Sequence, residues 1–190
     1  MSQYYFPTLQ DIYPTQLGKV TLEEFYRAIN IAKPGYIRIE ADELTCNLHI
    51  MVRYELEKGL VAGEIAVADL PRLWNEKYEE YLGLTPRNNK EGVLQDVHWS
   101  GGMIGYFPSY ALGNAYAAQI THTMKQALDL DAVCRSGNLA PIASWLNENI
   151  HQCGALKTPG RLIRDITGEP LNPAYLTDYF EKKFEDVYFS

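Results

Sequence analysis

An all-α fold is the class this sequence predicts, and three observations predict it. Apolar residues return at helical spacing in most windows of the chain. Start and stop signals bracket those windows. No run alternates apolar with polar strictly enough to read as a strand, so at most a short extended segment is expected, near Val93–Trp99.

The elements follow in order. Thr21 and Glu24 form a capping-box pair, and Leu22, Phe25, Tyr26 and Ile29 then fall on one helical face. Lys33-Pro34-Gly35 closes that helix. A second helix is expected from about Ala41 to Lys58, with Leu44, Leu48, Met51 and Val52 as its apolar face and Gly59 as its C-cap. A third starts near Asp69 and Pro71, turns Leu70, Leu73, Trp74, Tyr78 and Tyr81 to one side, and ends at Gly83. A fourth runs from about Tyr110 to Leu128 with Tyr116, Ala117, Ile120, Met124 and Ala127 inward. A fifth carries Leu139, Ile142, Ala143, Leu146 and Ile150. Thr158-Pro159 and Asn172-Pro173 each supply an N-cap followed by a proline that suits the first turn, and the second opens the stripe Leu176, Tyr179, Phe180, Phe184, Val187, Tyr188. No repeat or flexible linker interrupts the chain, so residues 1–190 read as a single helical region.

Composition bounds the function. The 190 residues are 46% apolar and 22% charged, an ordinary globular profile. The net charge of −7, with no cluster of Lys or Arg, argues against nucleic acid and anionic membrane surfaces as partners. Three cysteines without a CxxC pair fit reduced thiols, and the N-terminus lacks the basic start and apolar run of a signal peptide, so a cytoplasmic location is expected. The 28 residues between Asp96 and Lys125 hold no Asp, Glu, Lys or Arg. Glycines and Pro108 break that stretch too often for a membrane span, which leaves a buried loop feeding a buried helix. Self-contained hydrolytic signatures are missing: there is no HExxH and no GxSxG, and the four histidines are widely separated.

Two segments hold the residues that could carry chemistry. In the first, Arg38 lies among apolar neighbours, where a guanidinium serves either an interior ion pair or the planar clamping of a carboxylate. Asp42, Thr45, His49 and Arg53 then share one helical face, either solvated or the wall of a polar cleft. In the second, Asp96 and His98 project to the same side if residues 95–99 are extended. An Asp so placed can fix a His tautomer. Tyr106 and Tyr110 add phenol donors nearby, and a packed loop around a satisfied core histidine is the structural counterpart of that reading.

The two segments also carry a resemblance. IRIEAD (Ile37–Asp42) and GVLQDVHW (Gly92–Trp99) resemble the I/V-R-x-x-A-D and G-x-x-Q-D-x-H-W signatures of the M32 family of zinc carboxypeptidases, the carboxypeptidase Taq group. ADELTCNLHIMVRYELE and HWSGGMIGYFPSYALGNAYAAQ extend it. The HExxH helix and later Glu that hold zinc in that family have no counterpart here, so the chain resembles a C-terminal portion of such an enzyme.

The resemblance implies a helical fold, a deep cleft, a homodimer, and removal of single residues from peptide C-termini. It implies that Arg38 and Tyr110, with Tyr106 beside them, bind the terminal carboxylate. It places His98 near the scissile carbonyl as a catalytic residue, oriented by Asp96. Zinc is implied for the full-length enzyme, and none is expected on this chain alone. The implied partners are a peptide C-terminus, an N-terminal portion encoded separately, and a second copy through self-association. The alternative is a non-catalytic helical interaction module derived from such an enzyme.

Overall fold

The computed structural model describes residues 2–189. Its helices are α1 (Ser2–Ile12), α2 (Pro14–Leu17), α3 (Leu22–Ile29), α4 (Cys46–Val61), α5 (Leu70–Leu82), α6 (Pro108–Ala127), α7 (Leu130–Ser136), α8 (Ala140–Asn149), α9 (Pro159–Thr167) and α10 (Ala174–Phe189). No strand occurs among the described residues, and no helix is long and apolar enough to cross a membrane. Residues 93–99 form turns rather than an extended segment. The Gly92 carbonyl accepts the Gln95 N–H, and the Val97 carbonyl accepts that of Gly101.

The chain packs as two compact units, Asn30–Gly113 and Met1–Ile29 with Asn114–Ser190. In the discontinuous unit, α1 packs on α3 and α7, and α3 packs on α10. The capping box forms as the sequence predicts: Glu24 accepts the Thr21 N–H at 2.8 Å, and Thr21 Oγ1 accepts the Glu24 N–H at 3.2 Å. The inward face of α6 differs from the expected one. Ala115, Gln119 and Met124 are buried, whereas Ala117 and Ala127 are exposed. The rotation follows from Gln119, whose amide donates to Thr167 Oγ1 and the Pro170 carbonyl and accepts the Asn172 N–H. A buried amide that satisfies three partners outweighs a few alanine contacts. Three helices went unpredicted: α1, the four-residue α2, and α7. Pro7 interrupts the periodic signal of α1, and α7 is only seven residues long.

The continuous unit is built on α4 against α5. Its core is Val52, Leu56, Leu70, Trp74, Tyr78 and Leu82, with Leu48, Ile65, Val93 and Trp99 packed around it. Helix α5 matches its prediction. Pro71 sits in the first turn, and Gly83 caps the end in the left-handed region at φ 65°, sending its N–H to Glu79 and Tyr78 carbonyls. Helix α4 starts later than predicted because Asp42 organises a turn ahead of it. That carboxylate accepts the N–H groups of Lys33, Leu44 and Thr45 and the Thr45 hydroxyl. Burial pushes the Asp42 carboxyl up, but those bonds outweigh it and hold its pKa below the ordinary value.

Gly59 is not the C-cap. It lies inside α4, and the chain turns at Gly63, with φ 72°. A Cβ on Gly59 would stand 2.4 Å from Cδ1 of Ile65. Helix propensity alone makes Gly59→Ala stabilising by about 1 kcal/mol. The Ile65 contact reverses the sign, and Gly59→Ala is expected to cost about 1–2 kcal/mol. Ile65→Val, which removes Cδ1, should recover part of that loss in the double variant. Urea midpoints of the four proteins measure it.

The orientation of α4 is the largest correction. Thr45, His49, Arg53 and Glu57 are buried, while Leu44, Met51 and Tyr54 face outward. The expected apolar face therefore holds only in part: Val52 is buried and Leu48 half-buried. The charge-free stretch differs too. His98 and Phe107 are buried, but Val97, Met103, Ile104, Tyr106 and Leu112 are exposed, since no described residue covers them.

Candidate functional site

The buried polar face of α4 is explained by what it meets. The 3-10 turn Arg38–Glu40 and the turns after Gly92 bring Arg38 and Asp96 to the same place. Asp96 Oδ1 accepts from Arg38 Nε at 2.9 Å and Nη2 at 2.7 Å. Its Oδ2 accepts from Arg53 Nε at 2.6 Å. All three side chains are almost sealed from solvent, at 10%, 8% and 0% exposed for Arg38, Asp96 and Arg53. Burial pushes the Asp96 carboxyl up, but the Arg38 hydrogen bond and the Arg53 charge outweigh it, so its pKa lies below the ordinary value. Asp96 is thus a carboxylate that binds two guanidiniums.

Each arginine is held on its other sides as well. Arg53 Nη1 donates to the His49 carbonyl at 2.7 Å, and its guanidinium lies over the rings of Trp74 at 4.6 Å and Phe107 at 5.5 Å. The Arg38 backbone N–H donates to Gln95 Oε1 at 2.8 Å, and its guanidinium lies over the Tyr110 ring at 5.0 Å. Gln95 turns its amide nitrogen to the Tyr36 carbonyl, the Glu91 carbonyl and the Tyr78 hydroxyl. That hydroxyl lies 3.0 Å from His49 Nδ1. Burial, then the charges of Arg53 and Arg38, push the His49 pKa down to about 4, so the imidazole is neutral. Glu57, one turn along α4, accepts from Trp99 Nε1 at 3.2 Å and from the Gly105 N–H, pinning the glycine-rich loop.

His98 Nε2 lies 3.0 Å from the Tyr110 hydroxyl, and its ring packs on Phe107 at 4.4 Å and Tyr106 at 5.7 Å. Its Nδ1 is buried without a hydrogen-bond partner. The nearest Asp96 oxygen is 3.9 Å away, too far for a hydrogen bond. The structure therefore brings Arg38, Asp96, His98, Tyr106 and Tyr110 together, but it gives the bonds of Asp96 to arginines and not to His98. Arg53, His49 and Gln95 join the cluster without having been singled out as site residues. The spacing of positions 42, 45, 49 and 53 was the signal for two of them.

A family model described as carboxypeptidase Taq (M32) metallopeptidase matches residues 1–184. The chain belongs to the M32 family. It is 50% identical over 185 residues to carboxypeptidase 1 of Bacillus subtilis strain 168, covering 97% of this chain and 37% of that protein. It is 43% identical to the thermostable carboxypeptidase 1 of Thermus thermophilus over 97% of this chain and 36% of the relative. Among solved structures, the M32 carboxypeptidase from Deinococcus radiodurans R1 superposes with a TM-score of 0.96 at 39% identity, over 100% of this chain and 38% of that one. The M32 chain described here thus spans a little over a third of the length of these relatives. Among its described residues, no three His, Cys, Asp or Glu side chains converge to hold a metal. Asp96, the carboxylate nearest His98, is already committed to two guanidiniums. These residues do not fit a metal centre, and no step through a metal follows from them.

Proposed function

We propose that this chain is the substrate-binding part of a zinc metallocarboxypeptidase, and that the Arg38–Tyr110 corner receives the terminal carboxylate of a peptide. One observation carries the reading: the ion-pair node holds two guanidiniums and a single carboxylate. The other buried carboxylate, Glu57, forms no ion pair with either and points to the loop. A nearly desolvated node with a surplus cation favours an incoming anion. Arg38 spends Nε and Nη2 on Asp96, which leaves Nη1 for the ligand. Tyr110, partly exposed, can donate its hydroxyl hydrogen beside it when His98 Nε2–H supplies the bond between them. In this reading His98 and Asp96 are positioning residues, one for Tyr110 and the other for Arg38.

The metal and its ligands belong to sequence outside this chain. The exposed Ile39, Leu94, Val97 and Ile104 beside the site supply apolar surface for that missing portion, or a second copy, to cover. Three free cysteines fit a reducing, cytoplasmic setting. The test is calorimetric titration with a blocked tripeptide carrying a free carboxylate and with its C-terminal amide. The acid is expected to bind about tenfold more tightly, and Arg38→Gln to remove the difference. Equal binding of acid and amide overturns the reading. Binding of neither favours the interaction module.

A further inference from the structure

We infer that Arg53, a residue with no exposed atom to offer a ligand, is what makes Arg38 an anion receptor. The inference rests on the carboxylate reading above and deepens it. A lone Arg38–Asp96 pair would be neutral, and two of the guanidinium's faces would be satisfied by its own partner. Arg53 changes that balance by taking Oδ2 of the same carboxylate at 2.6 Å. Asp96 then divides its charge between two cations, and the node of two guanidiniums and one carboxylate keeps a positive surplus.

Among the described residues, no carboxylate other than Asp96 forms an ion pair with either arginine. His49 is neutral, and Tyr78 is a phenol whose pKa burial pushes up. Glu57 accepts the Gly105 N–H and the Trp99 indole N–H. Asp42, the remaining carboxylate that His49 senses, is saturated by backbone N–H groups and Thr45. Arg53 cannot retreat either. The His49 carbonyl and the faces of Trp74 and Phe107 fix its guanidinium. It is therefore a positioning residue acting on the ligand through Asp96 and Arg38, by charge as well as by geometry.

The test reads the acid-to-amide affinity ratio on the same tripeptide pair, because a purely structural role lowers both affinities together and leaves the ratio alone. Wild type gives the reference ratio of about tenfold. Arg53→Met should bring it within about twofold of unity, although Arg38 is intact. Arg53→Lys, which keeps the positive charge beside Asp96, should keep most of the ratio. An Arg53→Met protein that keeps the wild-type ratio overturns the inference. If that variant does not fold, as judged by circular dichroism, Arg53→Gln, which keeps a neutral donor beside Asp96, decides in its place: a ratio near unity supports the inference and the wild-type ratio overturns it. A wild-type ratio of unity instead removes the carboxylate reading beneath it, and Arg38→Gln identifies that case separately.

Discussion

Asp96→Asn is expected to destabilise the chain by about 3–5 kcal/mol, the cost of breaking a buried ion pair by removing one partner. The effect is large because Asp96 serves two guanidiniums, which would then face each other with no anion between them. Folded domains hold only about 5–15 kcal/mol in total, so the variant should lose a large share of its stability. The double variant Arg53→Met/Asp96→Asn should recover most of it, since an apolar group over Trp74 replaces a buried charge. Denaturant titrations followed by tryptophan fluorescence measure both, Trp74 and Trp99 lying in the affected core. A single variant within about 1 kcal/mol of wild type would show that water reaches the node and screens it.

Acid should begin to weaken this chain before its ordinary carboxylates titrate. The folded His49 pKa is about 4, against an ordinary value of 6.5. Below pH 6.5 the unfolded chain therefore binds a proton that the folded chain refuses. Stability falls as pH drops from 6.5 to 4, by about 3 kcal/mol in all, and the loss is complete below pH 4. The direction has a structural cause. His49 Nε2 is buried without a hydrogen-bond partner, so a proton there would gain no acceptor and would face two arginine charges. Asp42 and Asp96, whose pKa values are both lowered, add losses of the same sign at still lower pH. Urea unfolding between pH 4 and 7 should show this slope, and His49→Gln should flatten it. An unchanged slope in the variant would assign it to other groups.

How far the sequence reached depended on whether periodicity and partners agreed. Helix α5 was legible because its stripe of Leu70, Trp74 and Tyr78 coincides with a proline in its first turn and a glycine at its end. The inward face of α4 was not, because it carries Thr45, His49, Arg53 and Glu57, which hydropathy assigns to water. Their burial is licensed by partners remote in sequence: Asp96 for Arg53, Tyr78 for His49, Trp99 and Gly105 for Glu57. No window of twenty residues contains both halves of such a pair. The candidate residues Arg38, Asp96, His98 and Tyr110 stood out by type and setting, and the motif resemblance attached roles to them, whereas spacing put Arg53 on a polar face and only the ion pair shows what it meets. The turn geometry around residues 93–99 also lay beyond alternation, since backbone N–H bonds to nearby carbonyls decide it.

The Glu57 tether gives α4 a second meaning. Arg53 and Glu57 stand four residues apart, about 6 Å along the axis. One holds the Asp96 end of the site, and the other holds the loop leading to Phe107 and Tyr110. A single helical turn is therefore the ruler between the two walls. The walls should open together or not at all, as one unit of local unfolding. Amide exchange at Gly105, at Arg38 and along the middle of α4 is then expected to share one rate, with the fraying ends of the helix exchanging faster.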